Sequence, residues 1–97
     1  MRVRFTAQAI IDLKGIADYL TARNPAAAAS VRKAIRDGTR LLAAFPYAGR
    51  QQSEAHVRKL VTRKYAYLIY YKIDISHEEI AILSIRHPAR ERDFTDD

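Results

Sequence analysis

The sequence predicts an α+β fold, a β-α-α-β-β-β chain in which a helical hairpin packs on one face of an antiparallel sheet. Three observations predict it. Apolar residues recur at three- and four-residue spacing from Ala9 to Leu42, interrupted once at Asn24-Pro25. After Pro46 and Gly49 the pattern changes, and runs rich in β-branched and aromatic residues cover 57–62, 65–74 and 79–86. Helices first and strands afterwards is the segregated layer pattern of α+β domains.

Each element has its own signal. Arg2 to Phe5 alternates basic and apolar residues, the mark of a short strand. Thr6 suits the N-cap of a first helix whose stripe is Ala9, Ile10, Leu13, Ile16, Ala17 and Leu20. Asp12, Lys14 and Asp18 fall off that stripe and are expected in water. Asn24 caps a second helix and Pro25 suits its first position, where the missing N–H would be unpaired anyway. Its stripe runs through Ala27, Val31, Ala34, Ile35, Gly38, Leu41 and Leu42. The break between the helices is so short that they must run antiparallel, and Gly38 suggests that the other helix approaches closely there.

Pro46 and Gly49 end the helical half, and Gln51 to His56 reads as a polar loop. In the run 65–74, Tyr65, Tyr67, Ile69, Tyr71 and Ile73 share one face while Ala66, Leu68, Tyr70 and Lys72 share the other. Apolar bulk on both faces marks a central strand. Short turns at Arg63-Lys64 and at 75–78 imply antiparallel neighbours. The sheet face away from the helices need not be covered and is the natural working surface.

Composition bounds the function. The 97 residues suffice for one domain, taken as 1–97. The absence of Cys removes thiolate metal sites and thiol nucleophiles. His56, His77 and His87 lie on different elements, and the three glycines are scattered, so neither a metal, a cofactor nor a phosphate loop is expected. No run approaches the roughly 20 apolar residues that span a bilayer. The opening MRVRFTAQ lacks the apolar stretch of a signal peptide. The expectation is a cytoplasmic protein starting at Met1, with no membrane partner. A net charge of +6 and a pI near 9.9 favour polyanions or an acidic protein partner.

Several strings then come together. They are Ala9 with Asp12-Leu13, Ile16 and Tyr19-Leu20, then Asn24-Pro25 with Ala27-Ala28. Pro46 with Gly49-Arg50 follows, then Val57-Arg58 with Leu60, Tyr70-Tyr71, Ile82-Leu83, and His87 with Ala89-Arg90. Their order and spacing resemble the ParE/RelE toxin superfamily of type II toxin–antitoxin systems over nearly the whole chain. The resemblance implies a cognate ParD-like antitoxin whose C-terminal segment wraps the toxin in a hetero-oligomer. It also implies one of two targets. ParE-like members inhibit DNA gyrase without a hydrolytic site of their own, and RelE-like members cut messenger RNA on the ribosome.

The chemistry-bearing residues leave both readings open. A metal-free ribonuclease needs a base, an acid and cations around the phosphate. Arg63, Arg86, His87 and Arg90 are the candidates here, and His87 titrates near neutrality when unperturbed. RelE-like nucleases generally carry a Tyr or a His–Tyr pair in the tail, whereas residues beyond Arg90 include Phe94 and no Tyr. His87-Pro88-Ala89-Arg90 resembles the ParE-like branch better, so no intrinsic catalysis is the leading expectation. A strand-end histidine bonded to backbone is the plainer role for His87. Arg50, Arg58, Arg63, Tyr65 and Arg86 are expected to meet the antitoxin or the target. Hairpin turns such as Arg63-Lys64 are also charged simply to stay solvated. The tyrosines of 65–71 suit nucleobase stacking, although such density in one strand is commoner in core packing. The tail from about residue 90 is expected to be ordered only with a partner.

Overall fold

One residue joins the two helices. The backbone N–H of Asn24 donates to Leu20 O at 2.6 Å and closes α1 (Ala7–Arg23), while its side-chain oxygen accepts from Ala27 N at 3.1 Å and opens α2 (Pro25–Ala44). Thr6 caps α1, its hydroxyl accepting from Ala9 N and donating to Ile82 O at 2.8 Å. The first cap therefore also ties the helix to the sheet. The computed structural model describes residues 1–90. The tail beyond, where partner-dependent order is expected, lies outside the described residues, as does the side chain of Arg90.

The strands are β1 (Arg2–Phe5), β2 (Arg50–Gln51), β3 (Arg58–Val61), β4 (Leu68–Asp74) and β5 (Glu79–Arg86), followed by a 3-10 turn at Pro88–Arg90. The sheet order is β1-β5-β4-β3-β2, so β4 is central as its two apolar faces predict. The α+β class and the order of elements are those read from the sequence. Two refinements come from pairing. β1 joins β5 in parallel, which makes the sheet mixed, and the short β2 adds an edge beside β3 within the stretch read as loop.

The helical hairpin covers one sheet face. Ala9, Val31, Ile35 and Leu42 meet Tyr67, Ile69, Tyr71, Ile80, Ile82 and Ile85 in the main core. Ile82 and Ile85 lie in the same core although three residues apart, because a bulge opposite Tyr70-Tyr71 adds one residue to β5. Simple alternation misses such a shift. Gly38 corrects an expectation. A Cβ there would stand 2.9 Å from Ile69 Cδ1 and 3.5 Å from Leu60, so the glycine lets α2 approach the sheet rather than α1. Ile10, read as part of the stripe, is instead exposed, as is Ile11. Asp12, expected in water, accepts from Ile85 N at 2.9 Å, satisfying β5 beyond the point where β1 ends. No helix among the described residues is long and apolar enough to cross a membrane.

The opposite face is not bare. Val57, Leu68 and Tyr70 form a second, smaller buried cluster with Leu83 packed on it. The open working surface expected there is thus restricted to the margins of the sheet. Residues paired across strands share a face, which places Arg2, Arg4, Arg50, Lys59, Lys72 and Arg86 on this side against Glu79 and Asp74.

Candidate functional interface

The predicted cations separate into two places, one at each end of β3. At its start Arg58 donates from Nη1 to Gly49 O at 2.7 Å and Tyr47 O at 3.5 Å, and its guanidinium lies over the Tyr47 ring. Beside it the Tyr71 hydroxyl donates to Pro46 O at 2.7 Å and accepts from Gly49 N at 2.9 Å. A Cβ on Gly49 would sit 2.6 Å from Tyr71 Oη and 2.9 Å from Lys59 O, which is why glycine stands there. Burial pushes the Tyr71 phenol above its ordinary value, while the Gly49 amide and Arg58 pull the other way. Arg58 and Tyr71 thus fasten the 45–50 crossover between helix and sheet. Arg50 is exposed on the edge strand nearby.

At the far end of β3 the chain makes a locked turn. Thr62 N donates to Tyr67 O, Tyr67 N donates to Thr62 Oγ1 at 2.9 Å, and Thr62 Oγ1 donates to Lys64 O at 2.6 Å. The turn spans 62–67, so Tyr65 and Ala66 are not in the central strand as the sequence suggests. Both adopt the left-handed region, with φ of 66° and 53°, where an L-residue costs about 1–2 kcal/mol. Such strain persists only where surrounding bonds over-determine it, and here Thr62 supplies them. Arg63, Lys64 and Tyr65 all face solvent.

Arg86 and His87 belong to this second end, since Arg86 pairs with Leu68 immediately after the turn. Arg86 Nε bonds Ser84 Oγ at 3.0 Å and its guanidinium stands 5.5 Å from the Tyr70 ring. His87 is exposed; its Nδ1 accepts from Ala89 N at 3.0 Å and its ring meets Tyr67 edge-on at 5.4 Å. The plainer role read for it, a strand-end histidine bonded to backbone, matches this geometry. Tyr67 is buried and desolvation raises its phenol pKa, so it stays neutral. Tyr67, Tyr70 and Tyr71 are buried, which leaves Tyr65 as the exposed tyrosine of that stretch. Nucleobase stacking on the strand's tyrosines therefore gives way to core packing. Among the described residues no group of three or more His, Asp or Glu side chains is placed to hold a metal.

Between α2 and the locked turn lies a groove of about 630 Å³. Its walls include Lys33, Ala34 and Leu41 from α2 and Val61, Arg63, Lys64 and Tyr65 from the sheet side. The sequence reading reached Arg63 and Tyr65 but missed Leu41 and Val61, because an apolar residue on a core stripe or strand carries no mark that says it is exposed.

The model of the family described as ParE toxin of the type II toxin–antitoxin system parDE matches residues 3–92. The chain belongs to the ParE toxin family. Solved structures agree in shape. A chain of the chromosomal ParDE system from P. aeruginosa is similar at 26% identity with a TM-score of 0.76, covering 90% of this chain and 95% of that one. A chain of the RelBE2 toxin–antitoxin complex from Mycobacterium tuberculosis is also 26% identical, with a TM-score of 0.60, covering 89% and 95%. A chain of the intact E. coli RelBE toxin–antitoxin complex, 14% identical, shares the fold with a TM-score of 0.67 over 94% and 98%. No curated protein sequence matches this chain. In this chain the strings Pro46 with Gly49-Arg50 and Val57-Arg58 meet at the crossover fastened by Tyr71 and Arg58.

Proposed function

We propose that this ParE-family chain arrests growth by binding DNA gyrase in the cytoplasm, and that a ParD-like antitoxin encoded with it keeps it silent. The family match over residues 3–92 carries the reading. The similar solved chains come from toxin–antitoxin systems, which supports an antitoxin as partner. The basic surplus suits capture by an acidic segment.

The geometry of the nuclease candidates favours a binding toxin over a cutting one. Arg63 points into solvent from the turn, Arg86 lies along Ser84 and Tyr70, and His87 is turned towards Tyr67 with Nδ1 occupied by a backbone amide. Acid–base catalysis needs its groups within hydrogen-bond reach of one reacting phosphate, whereas Arg86 bonds Ser84 and the Nδ1 of His87 is taken by the Ala89 amide. Tyr67, the tyrosine beside His87, is buried.

Induced expression separates the alternatives. Gyrase inhibition predicts filamentous cells with a DNA-damage response and intact messages. Rapid loss of translation with messages cut at codons, abolished by His87→Ala, would replace this reading with a ribosome-dependent endoribonuclease. Unimpaired growth would leave a toxin-derived binding module.

A further inference from the structure

We propose that the sheet face turned away from the helices binds the phosphate backbone of duplex DNA. The inference goes beyond the gyrase reading. It gives the chain a nucleic-acid surface of its own, and its test needs no gyrase.

Strand register lays this face out in rows, since directly paired residues point the same way. Arg50 stands opposite Lys59, Lys59 opposite Tyr70, and Tyr70 opposite Ser84. The next row holds Lys72, Ala81 and Arg4. Arg86 stands opposite Leu68 on one side of these rows, and Arg2 opposite Glu79 on the other. Each of the five strands therefore carries a cation on this face. Strands about 4.8 Å apart make the sheet roughly 19 Å wide from edge to edge. A major groove is about 12 Å wide, so one such face reaches phosphates on both sides of it.

The charges on this face are not balanced locally. Both salt-bridged pairs on the helices set a lysine four residues before an aspartate, Lys14 with Asp18 and Lys33 with Asp37. On the sheet face, among the described residues, six cations meet two carboxylates, and both carboxylates lie at one end. Glu79 takes Arg4 at 2.8 Å and Arg2 at 3.6 Å. Asp74 is engaged by Ser76 and His77 of its own turn. Arg50 and Lys59 form a like-charge pair directly across two strands, and Lys72 is the diagonal neighbour of Lys59. Like charges set opposite each other destabilise a sheet. A polyanion laid across them removes that cost.

The shape of the face selects the kind of polyanion. Proteins that hold single strands stack bases on exposed aromatic rings. Tyr70 is the aromatic of the paired residues on this face, and it is 0% exposed, packed with Val57 and Leu68. A cationic face with no ring to offer an unpaired base suits a duplex, whose bases are already stacked. It grips the backbone and reads no sequence.

The test measures anisotropy of a short labelled DNA duplex titrated with the full chain at several salt concentrations. The surplus of four charges predicts a log–log salt slope of about −3 to −4, so affinity should fall roughly 100-fold between about 50 and 200 mM. Arg50→Gln with Lys72→Gln should weaken binding about tenfold for each charge removed and flatten the slope by about 2. Lys14→Gln with Arg32→Gln makes the same change in net charge at exposed positions on the helices and should leave affinity within about threefold. Scrambling the duplex sequence should change nothing. Melting curves check that the variants fold, and the salt slope of the unaltered chain tests the face without any substitution. A flat slope, or equal losses in the two double variants, would overturn the proposal. Tighter binding of single-stranded RNA of the same length would overturn the duplex assignment, and equal binding of polyglutamate would give the face to an acidic protein. Gyrase inhibition by a chain that binds no duplex would end this proposal and leave the gyrase reading standing. Duplex binding by a chain that leaves gyrase untouched would do the reverse.

Discussion

The two ends of β3 carry similar residues and use them in opposite ways. At its start Arg58 turns inward to the carbonyls of Tyr47 and Gly49, and Tyr71 fills both hydrogen-bonding roles of its hydroxyl on the same crossover. At its other end Arg63, Lys64 and Tyr65 face solvent on a turn held in a strained conformation. The first end turns its polar groups inward onto the crossover; the second turns them outward on a left-handed turn. A cation committed to the chain's own carbonyls serves folding, whereas one on a locked, exposed turn is available to a partner.

The largest expected effect falls on the first end. Gly49→Ala forces a methyl against Tyr71 Oη and the Lys59 carbonyl, and a clash against backbone costs about 3 kcal/mol. In a domain of this size that lowers the melting temperature by more than about 10 °C. An unchanged melt would mean that the crossover is looser than its bonds suggest.

A smaller effect sharpens the contrast between the arginines. Arg58→Ala should cost about 1–2 kcal/mol, because two carbonyls lose a charged donor. Arg63→Ala should change stability by less than about 0.5 kcal/mol, as exposed substitutions do. Equal losses in thermal or urea unfolding would erase the distinction between the two ends.

Alkaline titration probes the buried phenols. Both Tyr67 and Tyr71 have pKa values raised above 10.0 by desolvation. A raised folded pKa means that the fold favours the protonated phenol. That stability is fully present below pH 10 and is lost as pH rises through the higher folded value. Tyr71→Phe should shift the alkaline limb of a pH–stability curve upward, while lowering stability at neutral pH through the loss of its two hydrogen bonds.

The smallest expected effect has the opposite sign. Ala66→Gly should leave stability unchanged or raise it by up to about 1 kcal/mol, since relief of left-handed strain is offset by the greater freedom of glycine in the unfolded chain. Marked destabilisation in denaturant melts would mean that the turn is not strained.

Much of the fold was legible because local signals agreed. Thr6 and Asn24-Pro25 cap where sequence rules place them, and the two apolar faces of Leu68 to Asp74 put that strand in the centre. The parallel pairing of β1, the bulge opposite Tyr70-Tyr71 and the target of Gly38 were not legible, since each depends on contacts between residues far apart in the chain. Asp12 is instructive: its place off the apolar stripe says solvent, yet its carboxylate satisfies an amide of β5. For the candidate site, charge pointed to Arg58 and Arg63 alike. Only geometry separates a fastening arginine from an exposed one, and only geometry adds Leu41 and Val61 to the groove.

The most direct test is a DNA supercoiling assay with purified gyrase and this protein, run beside ribosomes programmed with messenger RNA. Inhibited supercoiling with intact message, reversed by the antitoxin, is the predicted result. Gyrase that supercoils normally while the message is cut would contradict the account.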